Sequence, residues 1–301
     1  MFQHDLLRGK RILITGGGTG LGRSIAERYL RLGAEVHICG RREAVLLQTA
    51  ADLQKETGGV MHTHVVDIRD ADAVDAMIAH IFEAHGPLTG LVNNAAGNFV
   101  SRTEDLSHRG FTAITDIVMR GTFYVTHAVG RRWIEAGLPG SVISIIVTWV
   151  FNGGPYVVPS AMSKSAVQSM TRSLAVEWGG YGIRLNAIAP GVFPTEGAVA
   201  RLVPGQGIGW RAEENPMKRV GEIHELQNLA TFLIADGVEW LTGQTIAIDG
   251  GNWLANGGNF YSYRNRSDED WKQMRDDIKA QNSKDKVDRT PSGDGGLGRN
   301  A

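Results

Sequence analysis

A single cysteine, Cys39, rules out an internal disulfide framework. The opening residues, MFQHDLLRGKR, hold no apolar h-region, so no secretion signal is read there and a reducing, cytoplasmic setting is expected. Neither sign of charge is in excess: 31 Lys and Arg against 32 Asp and Glu give a formal net charge of −1. That balance gives no electrostatic case for nucleic acid or an anionic membrane, while local basic pockets stay open. Long hydrophobic runs are missing too. The most apolar one, Val142 to Phe151, is broken by Ser144 and Thr148 and is too short to span a bilayer. It reads as a buried strand and its exit. No internal repeat is seen and no metal ion is expected. At 301 residues the chain suits one large α/β domain.

What is present is a regular alternation. Arg11 to Thr15 is a short apolar run that meets Gly16-Gly-Gly-Thr-Gly20-Leu-Gly22, and helical spacing follows in Ile25, Ala26, Tyr29 and Leu30. Strand, glycine turn and helix in that order suit a pyrophosphate: glycines let the backbone come close, and the helix N-terminus favours negative charge. The candidate contacts are Gly16, Gly18, Thr19, Gly20, Leu21 and Gly22. A second strand, Glu35 to Cys39, ends at Gly40-Arg41-Arg42. An acid there would bind an adenosine ribose and repel a 2′-phosphate; two arginines attract one, which favours NADP(H) over NAD. The bland reading is a solvated pair capping a helix start. Cys39 reads as a small buried hydrophobe.

Glu43 to Thr57 is helical, Val60 to Val66 is a strand, and Asp67-Ile68-Arg69 follows it. Asp67 there would hold the adenine amino group beside Ile68, and Arg69 would meet a phosphate. Ala71 to Ala84 is an amphipathic helix. Leu91 to Gly97 is a strand running into the small turn Asn94-Ala95-Ala96-Gly97, which suits backbone lying against a cofactor. A helix is expected from Ser107 to Ala136, a strand from Ser141 to Ile146, and a helix from Ser160 to Trp178. Arg184 to Ala189 is strand-like and stops at Pro190-Gly191-Val192. Thr195 to Pro216 reads as a mobile flap within about 193–217, Glu222 to Ile234 as a helix, and Thr245 to Ile248 as a last strand. Such alternation argues a single-domain Rossmann fold, a doubly wound parallel sheet of about seven strands with helices on both faces. It would occupy residues 1–264. Residues 265–301 are a polar extension, helical over Asp268 to Lys279 and disordered from Asn282.

Over residues 8 to 255 the chain resembles the short-chain dehydrogenase/reductase family. The resemblance rests on Thr15-Gly-Gly-Gly-Thr-Gly-Leu-Gly22, Asn93-Asn-Ala-Ala-Gly97, Lys164 in its helix, Pro190-Gly191 and Asp249-Gly250-Gly251. A closer one, to the 2,4-dienoyl-CoA reductase branch, rests on Asn98-Phe99, Thr115-Asp-Ile-Val118, Gly121-Thr122, Val157-Val-Pro-Ser160-Ala, Ala175-Val-Glu-Trp178 and Arg201-Leu202. Most of the family bears a tyrosine one helical turn before the lysine; this branch bears serine, here Ser160. The branch implies reduction of a conjugated dienoyl thioester by NADPH to a 3-enoyl-CoA, in a homotetramer built on the two long helices and the final strand. It implies Lys164 on the cofactor ribose, Asn98 as a donor to the thioester oxygen, and Arg69 and Arg201, with Ser107 behind them, on CoA phosphates.

Two positions depart from that branch. The mitochondrial type has a tyrosine acid where Trp149 stands, and an indole N–H is no proton-transfer acid. The family's relay asparagine aligns with Arg120, and the aspartate of the peroxisomal type with Val118. The acid is thus unassigned. Tyr156 is a replacement or an aromatic of the substrate tunnel. Thr148 is a candidate donor to the thioester, and Trp149 lines the acyl pocket, stacks on the nicotinamide side or is core. Arg120 either stabilises an enolate or pairs with Asp116 at i−4.

Overall fold

The computed structural model describes residues 1–195, 209–255 and 265–288. Two compact units are present, Met1–Trp253 and Leu254–Ala301. The first unit alternates strand and helix from its start: β1 (Arg11–Thr15), α1 (Gly20–Arg31), β2 (Glu35–Gly40), α2 (Glu43–Thr57), β3 (Met61–Val65), α3 (Ala71–Ala84) and β4 (Gly90–Asn93). A long helical rod follows in three parts: α4 (His108–Thr115), a π-helical turn (Asp116–Gly121) and α5 (Thr122–Ala136). Then come β5 (Gly140–Ile145), α6 (Trp149–Asn152), α7 (Val158–Glu177), β6 (Ile183–Pro190), α8 (Gly209–Glu214), α9 (Ile223–Ile234), β7 (Thr245–Ile248) and α10 (Asn252–Ala255).

The seven strands form one sheet in the order β3-β2-β1-β4-β5-β6-β7, every neighbouring pair parallel. Parallel strands need helical crossovers, which cover both faces, so the strands are apolar on both sides. Ile12 and Ile14 of β1 join Ile25 and Leu30 of α1 and Leu226 and Leu233 of α9 on one face. Leu13, between them, joins Val74 and Ile78 of α3, Val125 and Trp133 of α5, and Trp178 on the other. This is the doubly wound architecture the alternation implied. Among the described residues no helix is long and apolar enough to cross a membrane.

The helix expected over Ser107 to Ala136 is one rod with a π turn at its middle. Gly121 ends that turn where a Cβ would meet Ile68 at 2.7 Å, so the rod touches the loop after β3 there. Wide turns of this kind often mark functional sites.

In the second unit the helix, α11 (Asp268–Asp288), runs beyond Lys279; residues 289–301 lie outside the described ones. Ser267 caps the helix, accepting from Asp270 N at 3.2 Å while the Asp270 carboxylate accepts from Ser267 N at 2.9 Å, and Gln273 bonds Asp277 at i+4. A reciprocal cap and i,i+4 pairs sustain a helix that buries little.

Candidate active site

The βα turns at the C-terminal edge of the sheet open on a cleft of about 1420 Å³. Its floor is the glycine turn between β1 and α1. Gly16 (φ 64°) and Gly20 (φ 57°) take left-handed conformations that favour glycine. A Cβ on Gly16 would lie 2.9 Å from Ala95 Cα, so the turn after β4 packs directly against it. Thr19 caps α1 with extended backbone and no side-chain hydrogen bond, and the first turn carries no acid. The leading N–H groups of α1 are therefore left for an anion beside Gly18, Thr19, Gly20 and Leu21, which line the cleft. The residues present fit a dinucleotide's pyrophosphate.

Two threonines hold this cradle, and the sequence reading singled out neither. Thr15 Oγ1 accepts from Asn94 N and Ala95 N, both at 3.0 Å, and Asn94 Nδ2 donates to Thr15 O at 3.0 Å and Gly16 O at 3.2 Å. Thr49 of α2 donates to Gly18 O at 2.8 Å. Thr15 was visible as the strand's last residue. Thr49 gave no signal, because its partner is remote in sequence. Gly22 does not line the cleft: a Cβ there would meet Asn94 Nδ2 at 2.4 Å and Gly16 O at 2.6 Å, so its bareness lets α1 close on the turn.

At one end the cleft is walled by Arg41, Arg42, Asp67 and Ile68. Among the described residues neither Arg41 nor Arg42 makes a side-chain hydrogen bond or ion pair. Arg69 is turned onto Asp67, its Nε 2.9 Å from both carboxylate oxygens, and this hydrogen bonding holds the Asp67 carboxyl below its usual range. Burial pushes the Cys39 thiol up to about 12, which leaves it inert.

At the other end stand Asn94, Ala95, Ala96, Gly97, Asn98, Lys164 and Pro190. Pro159 opens α7, and Ser160 and Lys164 sit one turn apart, 4% and 7% exposed. Lys164 Nζ donates to Ile145 O at the end of β5 at 2.5 Å. Among the described residues it has no carboxylate partner, and burial lowers its pKa from 10.5 to about 8. Thr148 is buried at the mouth of α6, and half-buried Trp149 packs over Gly154, where a Cβ would lie 3.0 Å from its ring. Asn98 Oδ1 accepts from Phe99 N at 2.9 Å.

The chain matches the family described as enoyl-(acyl carrier protein) reductase over residues 16–252. It belongs to the short-chain dehydrogenase/reductase family. Within that family it is 41% identical, over 93% of each chain, to a probable 2,4-dienoyl-CoA reductase 3, (3E)-enoyl-CoA-producing, of Caenorhabditis elegans. It is 38% identical to a probable 2,4-dienoyl-CoA reductase, (2E)-enoyl-CoA-producing, of Bacillus subtilis, over 81% of this chain and 97% of that protein. A crystal structure of a short chain dehydrogenase from Bacillus anthracis superposes with a TM-score of 0.74 at 38% identity, covering 81% of this chain and 96% of that one. The family's members are oxidoreductases that bind a nicotinamide cofactor.

Other residues singled out in the sequence are not among those that line the cleft. Gly191 lets β6 pass Asp249, whose Cβ would lie 2.6 Å from an added Cβ, and Val192 O accepts from Gly221 N at 2.9 Å. Ser107 caps α4 through Gly110 N at 3.1 Å. Arg120 lies on the π turn, half exposed, bonded to Asp116 at 3.0 Å and to Tyr124 Oη at 2.8 Å, as its i−4 reading had it. Tyr156 is 58% exposed at φ 65°, and its carbonyl accepts from Ser101 N at 2.9 Å, tying two rim loops together. Phe99 is partly exposed on the same rim. Arg201 and most of the expected flap lie outside the described residues.

In this family's cleft Gly22→Ala is expected to cost about 1–3 kcal/mol of stability by overpacking. Nucleotide affinity should fall at least tenfold, because the Asn94 amide must leave Gly16. Thermal denaturation and a nucleotide titration measure the two effects.

Proposed function

We propose that this chain is an NADPH-dependent reductase of a conjugated acyl-CoA, of the 2,4-dienoyl-CoA reductase kind, acting in fatty-acid β-oxidation. The observation that carries the reading is the buried pair Ser160 and Lys164, which puts an ammonium but no phenol at the reaction end. Carbonyl reduction in this family uses that phenol to protonate an oxygen. A conjugated thioester instead gives a dienolate, which asks for hydrogen bonds at oxygen and a proton at carbon.

Bound NADPH would supply hydride to the far carbon of the conjugated chain. Lys164 would leave Ile145 O for the ribose hydroxyls and hold the cofactor in register while its charge favours electron flow. Asn98 and buried Thr148 would donate to the thioester oxygen, beside which the proton is added, so the (3E) product is favoured. Trp149 carries no transferable proton. Tyr156 faces solvent, so water is the proton source. Trp149 and Phe99 would line the acyl path, and CoA phosphates would compete with Asp67 for Arg69.

The test is single-turnover loss of NADPH absorbance with a short 2,4-dienoyl-CoA, beside Lys164→Ala. Rapid oxidation in the parent protein alone supports the reading. No oxidation despite NADPH binding would move the substrate to another carbonyl or thioester. Tyr156→Phe should leave kcat within about twofold; a loss of tenfold or more would restore Tyr156 as the acid. A homotetramer is proposed from the exposed Met119 and Phe123 on the rod and Val176 on α7, to be checked by light scattering. The lone buried thiol suits a reducing compartment such as the cytoplasm.

A further inference from the structure

We propose that Glu35, His37, His62 and His85 form a structural zinc site at the opposite end of the strands from the cofactor cleft. Three elements converge there. His37 of β2 is in register with His62 of the edge strand β3, so both project to the same face. Glu35 precedes His37 by two residues and shares that face. His85 ends α3, whose Val74, Ile78 and Ile81 cover it.

One candidate ligand atom from each residue lies within 4.8 Å of the other three. Glu35 Oε1 is 3.3 Å from both His37 Nε2 and His62 Nε2. Tetrahedral zinc, with bonds of about 2.0–2.2 Å, sets its ligand atoms about 3.3–3.5 Å apart. Two edges of the tetrahedron therefore already have the right length. The remaining shift falls on His62 and His85, which are half-buried at the rim. His37 is fully buried, and its Nδ1 lies 2.9 Å from His64 Nε2, which leaves Nε2 for the ion. Glu35 Oε2 takes a hydrogen bond from Arg11 at 3.0 Å, so the carboxylate is oriented from behind.

Arg11 is the charge that opposes a dication here; it offsets Glu35, so three imidazoles must supply the affinity. His64 and His80 complete the ring contacts around the cluster. Three nitrogen donors and one carboxylate select zinc over magnesium or calcium. Four protein ligands leave no open position, which makes the ion a staple joining β2, the edge strand β3 and the end of α3. The convergence is tertiary, since the four residues come from three elements.

The test uses the full chain, stripped with EDTA, desalted and titrated with Zn²⁺, with Co²⁺ as a spectroscopic probe. One equivalent of zinc per chain is expected, with a melting temperature raised by at least about 3 °C. His62→Gln and His85→Gln, both at the rim, should each weaken zinc binding tenfold or more while circular dichroism stays unchanged. Bound Co²⁺ should show four-coordinate absorption. No zinc-dependent rise in melting temperature, or the same rise in both variants, or a six-coordinate Co²⁺ spectrum, would overturn the proposal.

Discussion

Lys164→Met is expected to lower turnover about a thousandfold while raising the melting temperature at pH 7. Both effects come from one buried ammonium. On the proposed function its charge acts on the cofactor ribose, and it sits 7% exposed with Ile145 O as its partner. In the unfolded chain the lysine keeps its proton up to 10.5; in the fold, only up to about 8. Between those values the unfolded state binds more protons, so stability rises with pH across that window. Below pH 8 the whole penalty stands, at most about 3.5 kcal/mol from about 1.4 kcal/mol per pKa unit between 10.5 and about 8. Methionine removes it and loses the bond to Ile145, for a net gain of about 1–2 kcal/mol and a few degrees. The same pKa predicts that kcat/KM of the parent enzyme falls as pH rises through about 8, when the free enzyme loses the ammonium. A variant less stable than the parent at pH 7 would show that burial of this amine costs little. An alkaline limb that is absent would remove the ammonium from the chemistry.

The double variant Arg41→Ala, Arg42→Ala should lose about a hundredfold in NADPH affinity and almost nothing in NADH affinity. Both guanidiniums line the cleft without a hydrogen-bond or ion-pair partner among the described residues. A 2′-phosphate carries nearly two negative charges, and charge-assisted hydrogen bonds to it are worth about 1.5–3 kcal/mol each. Partial exposure and screening reduce that sum. The measurement is a pair of titrations, with NADPH and NADH, at fixed ionic strength. An equal loss for both nucleotides would mean that the arginines act on the shared pyrophosphate or on the fold. An unchanged NADPH affinity would leave them as solvated surface charges.

The sequence by itself determined the sheet and many of the residues that line the cleft, because each depends on patterns only a few residues long. β1 was readable from Arg11 to Thr15 because a strand buried on both faces is continuously apolar. The glycine turn was readable because positive φ at Gly16 and Gly20 leaves glycine as the ready choice. Ser160 and Lys164 were readable as a pair because helical spacing is local. Tertiary structure decided what spacing does not encode. It set Arg69 onto Asp67, Arg120 onto Asp116 and Tyr124, and Ser107 onto its own helix end, so three candidate ligand contacts already have partners within the chain. It turned Tyr156 to solvent, and it gathered Glu35, His37, His62 and His85 from three elements into one cluster. The physical reason is the same in each case. A side chain's polar atoms bond to whatever packing brings within about 3 Å, and for residues far apart in the chain only the packed sheet and its helices fix which groups those are.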